Sequence, residues 1–183
     1  MIHHVAIAVI PPDLQGALGC MSKGAMSGAK RGLRQVLTDC AAVIWGIVAF
    51  DFTFNDYTGK GGELVHQPHF HGILAVTDVE EVRNVLKAEY PRTAEAYRPV
   101  MVSDYDRNEL GASYIFKTRF TRRSSYIDDG NPNRNPFSNT KPFELRAPPY
   151  IDLALMLDFM GFDKRLLWIK TKPILMVFMQ KNE

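Results

Sequence analysis

The sequence predicts an α+β fold, in which a mostly antiparallel sheet carries helices on one face. The chain has 183 residues, which is enough for one domain with its own core and an appendage. Up to residue 103, apolar runs of strand length and apolar stripes of helical spacing follow the order β-α-β-β-α-β. A polar, glycine-rich segment at 55–62 joins the second and third strands and is typical of a long hairpin.

The composition is that of an ordinary globular protein, with 46% hydrophobic and 23% charged residues. The net charge of +2 excludes a polycation, so any nucleic-acid surface must be local. Cys20 and Cys40 form no Cys-x-x-Cys pair, which disfavours a zinc site and a disulfide framework and predicts a cytoplasmic location. The sequence shows no signal-peptide pattern and no apolar run of membrane-spanning length, so we expect no membrane partner.

The first strand and first helix are predicted at the N-terminal end of the chain. Residues 4–10 are β-branched and apolar, and they predict a buried strand. From Asp13 to about Val36, apolar residues recur at three and four positions, which predicts a helix. Three glycines lie four residues apart in this helix: Gly24, Gly28 and Gly32. They indicate either a close approach to a sheet or simply a poor helix.

Residues 43–54 and 66–76 predict the two strands of the hairpin. On the first of them, three phenylalanines alternate with polar residues: Phe50, Phe52 and Phe54. If the phenylalanines face the core, Asp51 projects from the opposite face, which we expect to be the solvent face. His69 and His71 are two residues apart on the second strand, so both project from one face.

The rest of the chain is less regular. Thr77 and Glu80 form a predicted capping box for a helix that ends before Pro91, and residues 97–103 predict a weaker edge strand. The remaining predicted elements are a helix at 109–122, a loop at 124–149, helices at 151–160 and 163–170, and a strand at 173–180. We therefore predict a main domain at 1–146, with 147–183 as a helical and strand extension packed on it.

The order β-α-β-β-α-β is that of the split βαβ, ferredoxin-like arrangement. Its usual strand order makes the first and third strands central, which places His69 and His71 at the middle of the sheet. Two imidazoles about 7 Å apart along a strand can share a metal ion. The alternative is a half-exposed strand that happens to carry two histidines.

Metals that act on phosphates also require oxygen ligands, and Asp51 on the neighbouring strand supplies one. Glu63 and His66 are alternative ligands, and a solvated strand carboxylate is the alternative interpretation of Asp51. Tyr114 and Lys117 share one flank of the predicted 109–122 helix. A phenol beside a metal and a cation can attack a phosphodiester, although an ordinary surface pair has the same spacing.

Residues 107–146 contain eight lysines and arginines against four acidic residues, with aromatic residues among them. Cations interleaved with aromatic rings suit single-stranded nucleic acid, through phosphate contacts and base stacking. The residues that we expect to contact DNA are Arg107, Arg119, Phe120, Arg122 and Arg123. The alternative is a solvated helix end and loop.

Together these features resemble the HUH endonucleases, and most of all the plasmid-type rolling-circle replication initiators (Rep proteins). The matching residues are 50–53 (FDFT), a glycine pair in the hairpin loop, 68–74 (PHFHGIL) and 114–117 (YIFK), and the resemblance covers roughly residues 4–123. The sequence departs from the family at Asp51, where Glu is common, and at Gln67, where His is frequent. Its first strand is aliphatic, where the family usually has threonines.

The resemblance implies a metal-dependent endonuclease that nicks and rejoins single-stranded DNA through a 5′-phosphotyrosine, initiating rolling-circle replication of a plasmid or phage. It implies Mn2+ or Mg2+ bound by His69, His71 and Asp51. Tyr114 is then the nucleophile, assisted by Lys117, with Tyr126 as the second candidate.

The expected partner is single-stranded DNA at an origin or hairpin. The sequence contains no Gly-x-x-x-x-Gly-Lys-Ser/Thr loop, so a host helicase would have to unwind the duplex. Two alternatives stay open. One is a relaxase or a single-tyrosine transposase of the same superfamily. The other is a non-catalytic module that binds single-stranded nucleic acid.

Overall fold

The computed structural model describes residues 1–14, 16–17, 23–56, 64–93, 96–106, 112, 121–128, 137–145, 147 and 149–171. The strands are β1 (His3–Val9), β2 (Gly16–Ala17), β3 (Val43–Asp56), β4 (Leu64–Val76), β5 (Val100–Asp104), β6 (Thr121–Asp128), β7 (Phe137–Glu144) and β8 (Leu166–Ile169). The helices are α1 (Lys23–Asp39), α2 (Val79–Glu89), α3 (Pro149–Met160) and α4 (Phe162–Arg165), with a 3-10 turn at Pro12–Leu14. The fold is therefore α+β, as predicted.

The strands form one mixed sheet in the order β5-β1-β4-β3-β6-β7, with β2 also paired to β4 and β8 also paired to β3. The pairings are antiparallel except between β3 and β6, which run parallel. The first and third predicted strands, β1 and β4, lie between β5 and β3. The central position expected for the histidine-bearing strand is confirmed.

The β3–β4 hairpin forms because its alternating pattern sends its phenylalanines to one face. Phe50 pairs with Phe70 in the ladder, and their ring centroids lie 4.9 Å apart. Helices α1 and α2 cover this face. The buried residues that they contribute to the same core are Met26, Leu33, Leu37, Val82 and Leu86. The opposite face of the hairpin carries Asp51, His69 and His71.

Helix α1 begins later than the sequence predicts. Pro12–Leu14 form a 3-10 turn, and Gly16 pairs with His66 of β4 instead of continuing a helix. The predicted close approach to a sheet is also wrong at Gly28 and Gly32, because an added Cβ at either position would meet nothing within 4 Å. These glycines therefore only lower the helix propensity of α1.

Helix α2 is capped one residue later than predicted. The N-cap is Asp78, whose Oδ1 accepts hydrogen bonds from the backbone N–H groups of Glu80 (2.9 Å) and Glu81 (3.0 Å). Thr77 instead donates its hydroxyl to the carbonyl of Ala42 at 3.3 Å. The helix ends before Pro91, as expected.

Three predictions for the second half of the chain are wrong in part, although Phe162–Arg165 do form a helix within the region predicted as one. Residues 121–122 belong to β6 and not to a helix, and the predicted loop at 124–149 contains the β6–β7 hairpin. Residues 166–169 form β8, which fills the outer edge of β3 where Leu166 pairs with Ala49. The backbone groups at the open edge of β3 require hydrogen-bond partners, and residues 166–169 supply them. A short apolar run can form either a strand or a helix, and here this long-range pairing favours the strand. The predicted strand at 173–180 lies outside the described residues.

The C-terminal extension contributes to the main core, since Leu153, Leu167 and Ile169 belong to the same buried cluster as Phe50. The proposed boundary between residues 146 and 147 stays a prediction. Within the described part of the chain, no helix combines the length and apolar character needed to cross a membrane.

Candidate metal centre

Asp51, His69 and His71 converge on the face of the hairpin opposite the phenylalanines. The register of β3 and β4 places Asp51 directly across from His69, and His71 lies two residues further on β4. One ligand atom from each residue lies within 4.8 Å of the other two. The sequence-predicted triad is therefore brought together by the pleat of two paired strands.

Both ring nitrogens of His69 lie close to an oxygen that can accept a hydrogen bond. Its Nδ1 lies 3.1 Å from the carbonyl oxygen of Gln67, and a carbonyl can only accept, so Nδ1 carries the hydrogen. In the neutral ring, Nε2 then presents its lone pair, and this atom lies 3.3 Å from Oδ2 of Asp51. Two acceptors at this distance require a proton or a cation between them. A ligating histidine commonly has a backbone carbonyl on its second nitrogen.

Asp51 divides its two oxygens between the backbone and the histidine. Oδ1 accepts the backbone N–H of Phe52 at 2.7 Å, which holds the carboxylate plane. Oδ2 points to His69. The ring of His71 lies edge-on to that of His69, with centroids 4.5 Å apart and an interplanar angle of 89°. His71, two residues further along β4, therefore presents its imidazole to the same cluster of ligand atoms as His69.

The site is buried, contrary to the expectation that Asp51 faces solvent. Asp51 is 3% exposed and His69 is 7% exposed. A second apolar cluster covers this face of the sheet beyond His71. Its members are Ala49, Ile73 and Leu166, with Ile47, Tyr105, Ala112 and Trp168 packed against them. The solvated-carboxylate alternative for Asp51 is therefore wrong, and a carboxylate this deeply buried requires compensating charge.

Part of that compensation comes from Arg165, which sequence reasoning missed. Arg165 is buried, and burial lowers the pKa of its guanidinium while the charge of Asp51 raises it. The residue belongs to the extension, for which the sequence suggested no role. The available signal was a single arginine that directly precedes an apolar strand, at residues 165–169 (RLLWI).

The donor set, two imidazoles and one carboxylate, fits a divalent cation. Imidazole nitrogen suits transition metals such as Mn2+, Fe2+ or Zn2+ better than Mg2+, which prefers oxygen ligands. His69 already has its outer hydrogen bond to a carbonyl, and Asp51 has its own to a backbone N–H. The cluster can hold a metal ion, and its donors alone do not select one metal.

Of the alternative ligands, His66 does not reach the centre. It pairs with Phe54, lies on the phenylalanine face and is 3% exposed. Glu63, Tyr114 and Lys117 lie outside the described residues, as does the side chain of Tyr126. Three predicted DNA contacts also lie outside them: Arg107, Arg119 and Phe120.

The two remaining DNA-contact candidates lie on opposite faces of β6. Arg122 is opposite Phe54 on the core face, and its Cζ lies 5.2 Å from the ring centre of Phe143. Arg123 is exposed and is placed beside the metal ligands. The structure thus brings one of these two arginines to the candidate centre.

A cavity of about 320 Å³ opens beside His69 and His71. Its other lining residues are Ala8, Ile10, Thr53, Gln67, Arg98, Val100, Met101 and Arg123. Cavities of this size suit small ligands, and two arginines on an apolar wall suit a group that is both anionic and flat. Arg98, which the sequence analysis did not single out, is part of this lining.

No protein-family model, curated protein or solved structure matches the chain. The functional argument therefore rests on the residues themselves. A buried site that can hold a divalent cation, next to a cavity with two arginines, is chemically suited to phosphate esters.

Proposed function

We propose that this protein is a metal-dependent endonuclease and strand transferase of the HUH type. It would act on single-stranded DNA and initiate rolling-circle replication of a plasmid or phage. The observation that carries the proposal is the convergence of Asp51, His69 and His71 within 4.8 Å on neighbouring strands. The strand order β5-β1-β4-β3, with α1 and α2 on the other face, supports a ferredoxin-like core for it.

In this proposal Asp51, His69 and His71 hold Mn2+ or Mg2+, and the two imidazole ligands make Mn2+ at least as suitable as Mg2+. A bound divalent ion supplies Lewis-acid polarisation of the scissile phosphate. The hydrogen bonds from Phe52 and to Gln67 keep two of the ligands oriented before DNA arrives.

Tyr114 is the proposed nucleophile. Its phenolic oxygen forms a bond to phosphorus as the bond from phosphorus to the 3′ oxygen breaks. The phenolic proton passes to solvent, the departing 3′ oxygen takes up a proton, and Lys117 balances charge on the phosphate. The products are a 5′-phosphotyrosine and a free 3′-hydroxyl, and the reverse attack by a 3′-hydroxyl closes the strand.

Ala112 supports this placement of the nucleophile. It is a described residue two positions before Tyr114, and it packs against the apolar cluster of Ala49, Ile73 and Leu166. Ala49 pairs with His71 in the β3–β4 ladder. Ala112 therefore lies at the face of the sheet that carries the metal ligands.

The test is covalent capture. The protein is incubated with Mn2+ and a 5′- or 3′-labelled pool of single-stranded oligonucleotides that contain hairpins, and denaturing gels are examined for a protein–DNA adduct. We expect an adduct with the 3′-labelled strands that Tyr114→Phe and His69→Ala abolish and Tyr126→Phe retains.

Each other outcome has a definite meaning. If Tyr126→Phe abolishes the adduct and Tyr114→Phe does not, the nucleophile is misassigned. An adduct unaffected by His69→Ala contradicts the metal site. Binding without any adduct across the pool contradicts the enzyme and leaves the non-catalytic binding module. If the adduct forms at transfer-origin or transposon-end sequences in preference to replication origins, the relaxase or transposase alternative replaces replication, and the host helicase is no longer the expected partner.

A further inference from the structure

A second cavity of about 310 Å³ adjoins the one beside the metal centre. Its described lining residues are Lys87, Tyr90, Arg92, Arg98, Pro99 and Val100. Arg98 and Val100 line both cavities, so the two cavities lie side by side where β5 begins. Together they are called here the β5 groove, which extends from His69 and His71 to the C-terminal end of α2.

The β5 groove is strongly basic. Four cations line it: Lys87, Arg92, Arg98 and Arg123. All four are exposed, none forms an ion pair with another described residue, and no described lining residue is acidic. Glu89 is a carboxylate near the groove: its charge acts on the hydroxyl of Tyr90, but Glu89 is not among the lining residues. Four exposed cations that form no ion pair with a described residue, in a chain whose net charge is +2, favour a polyanionic ligand.

An aromatic platform lies among these cations. Tyr97 is 68% exposed, and the Cζ of Arg92 lies 5.0 Å from the centre of its ring. The segment that carries it is fastened to the sheet, because Ile10 donates its N–H to the carbonyl of Pro99 at 2.7 Å. Thr93 closes the same segment on Ala96 through a backbone hydrogen bond of 3.2 Å. An exposed ring on a fixed segment between cations is suited to stacking with a nucleobase.

We propose that the β5 groove binds the stretch of single-stranded DNA that flanks the scissile phosphate. Arg98 contacts the backbone at the junction of the two cavities, and Tyr97 stacks with a base near Arg92. This inference rests on the proposed function, since it supplies a path for the same DNA to the same metal centre. It places the main DNA contacts at residues 87–98, in addition to the predicted basic stretch at 107–146.

The test measures equilibrium binding of a labelled oligothymidylate by fluorescence anisotropy in EDTA, where no metal chemistry contributes. We expect Arg92→Ala with Arg98→Ala to weaken binding by at least about tenfold. The double variant should also reduce the slope of log K against log salt by about 1.4, since each contact with a single strand contributes about 0.7. The control is Arg31→Ala with Arg34→Ala, which removes equal charge from the exposed side of α1.

Tyr97 separates stacking from charge. Tyr97→Ala should weaken binding about tenfold without changing the salt slope, and Tyr97→Phe should restore it, because stacking needs only the ring. If the α1 control weakens binding as much as the groove variants do, the groove is not the site. Equal competition by polyglutamate would assign the groove to an acidic protein instead and overturn the inference.

This inference and the proposed function fail in different ways. If wild-type protein forms a covalent adduct and the groove variants bind and form it normally, only the groove is wrong. If the groove variants lose binding while wild-type protein forms no adduct with any DNA tested, the groove holds and the endonuclease activity is wrong.

Discussion

The Nε2 atom of His69 lies 3.3 Å from Oδ2 of Asp51, across the ladder that joins β4 to β3. The Nδ1 hydrogen of the ring goes to the carbonyl of Gln67, so in the neutral ring this contact joins two acceptors. A proton can fill the position between them, and so can a metal ion. Because Asp51 and His69 are both buried, the occupant of this position affects both the stability and the chemistry of the protein.

The first prediction concerns the carboxylate ligand. Asp51→Asn preserves shape and removes charge, and we expect it to weaken Mn2+ binding in isothermal titration calorimetry by at least about tenfold. In wild-type protein, free Mn2+ at about a hundred times its dissociation constant should add about 2.7 kcal/mol to the free energy of unfolding. At the same free Mn2+, Asp51→Asn should lose at least about half of that gain, whereas the exposed control Asp158→Asn should retain it. Equal Mn2+ affinity in both variants would remove Asp51 from the site.

The second prediction concerns the hairpin beside His71. A Cβ added to Gly72 would lie 2.7 Å from the carbonyl oxygen of Ile47 and 2.6 Å from Cγ2 of Val48. The carbonyl can yield only if the β3–β4 ladder opens, so Gly72→Ala should destabilise the protein by about 1–3 kcal/mol.

Gly28→Ala is the matched control, because an added Cβ there meets nothing within 4 Å. It should stabilise α1 by up to about 1 kcal/mol, so the two identical substitutions should differ in sign. Urea unfolding measures both. A neutral Gly72→Ala would contradict the close approach of the two strands.

How far the sequence predicts this site can be seen from Asp51. The face of a strand residue follows from local alternation with Phe50 and Phe52, and a two-residue period is readable in a single chain. The burial of that face was not readable. It depends on Leu166, whose pairing with Ala49 joins segments more than a hundred residues apart.

The β6–β7 hairpin was missed for a related reason. Its residues are rich in Asn, Pro and Ser, which individually favour turns, and Pro142 stands within β7 itself. Strand formation there follows from the parallel pairing of Arg122 with Phe54 on β3. Strand propensity depends strongly on such tertiary context, which a single sequence does not contain.

The third prediction concerns Arg165, whose charge acts on Asp51. A fixed cation opposes a divalent cation at the same carboxylate, so Arg165→Gln should tighten Mn2+ binding several-fold. In EDTA the variant should be less stable than wild-type protein, because the buried carboxylate loses its compensating charge. Added Mn2+ should therefore raise its melting temperature more than it raises that of wild-type protein.

Lys164→Gln is the control, since it removes equal charge from the adjacent, exposed position. We expect it to leave both Mn2+ affinity and stability close to those of wild-type protein. If Arg165→Gln instead weakens Mn2+ binding, Arg165 orients the carboxylate for the metal and does not compete with it.

The last prediction concerns stability at alkaline pH. Burial, and to a lesser extent the charge of Glu89, raises the pKa of Tyr90 from 10.0 to about 12. The folded state therefore retains the phenolic proton where the unfolded chain has lost it. This contribution to stability is fully present below pH 10 and is lost as the pH rises toward 12.

Tyr90→Phe should reduce the decline in the free energy of unfolding between about pH 10 and about pH 12, by up to about 1.4 kcal/mol per pH unit. Urea unfolding at several pH values measures this slope. Tyr97→Phe is the control, because Tyr97 is 68% exposed and should leave the slope unchanged. Equal slopes in Tyr90→Phe and wild-type protein would show that the Tyr90 hydroxyl ionises as readily in the folded protein as in the unfolded chain. The hydroxyl would then not be buried at the end of α2, which would contradict the position of Tyr90 in the lining of the β5 groove.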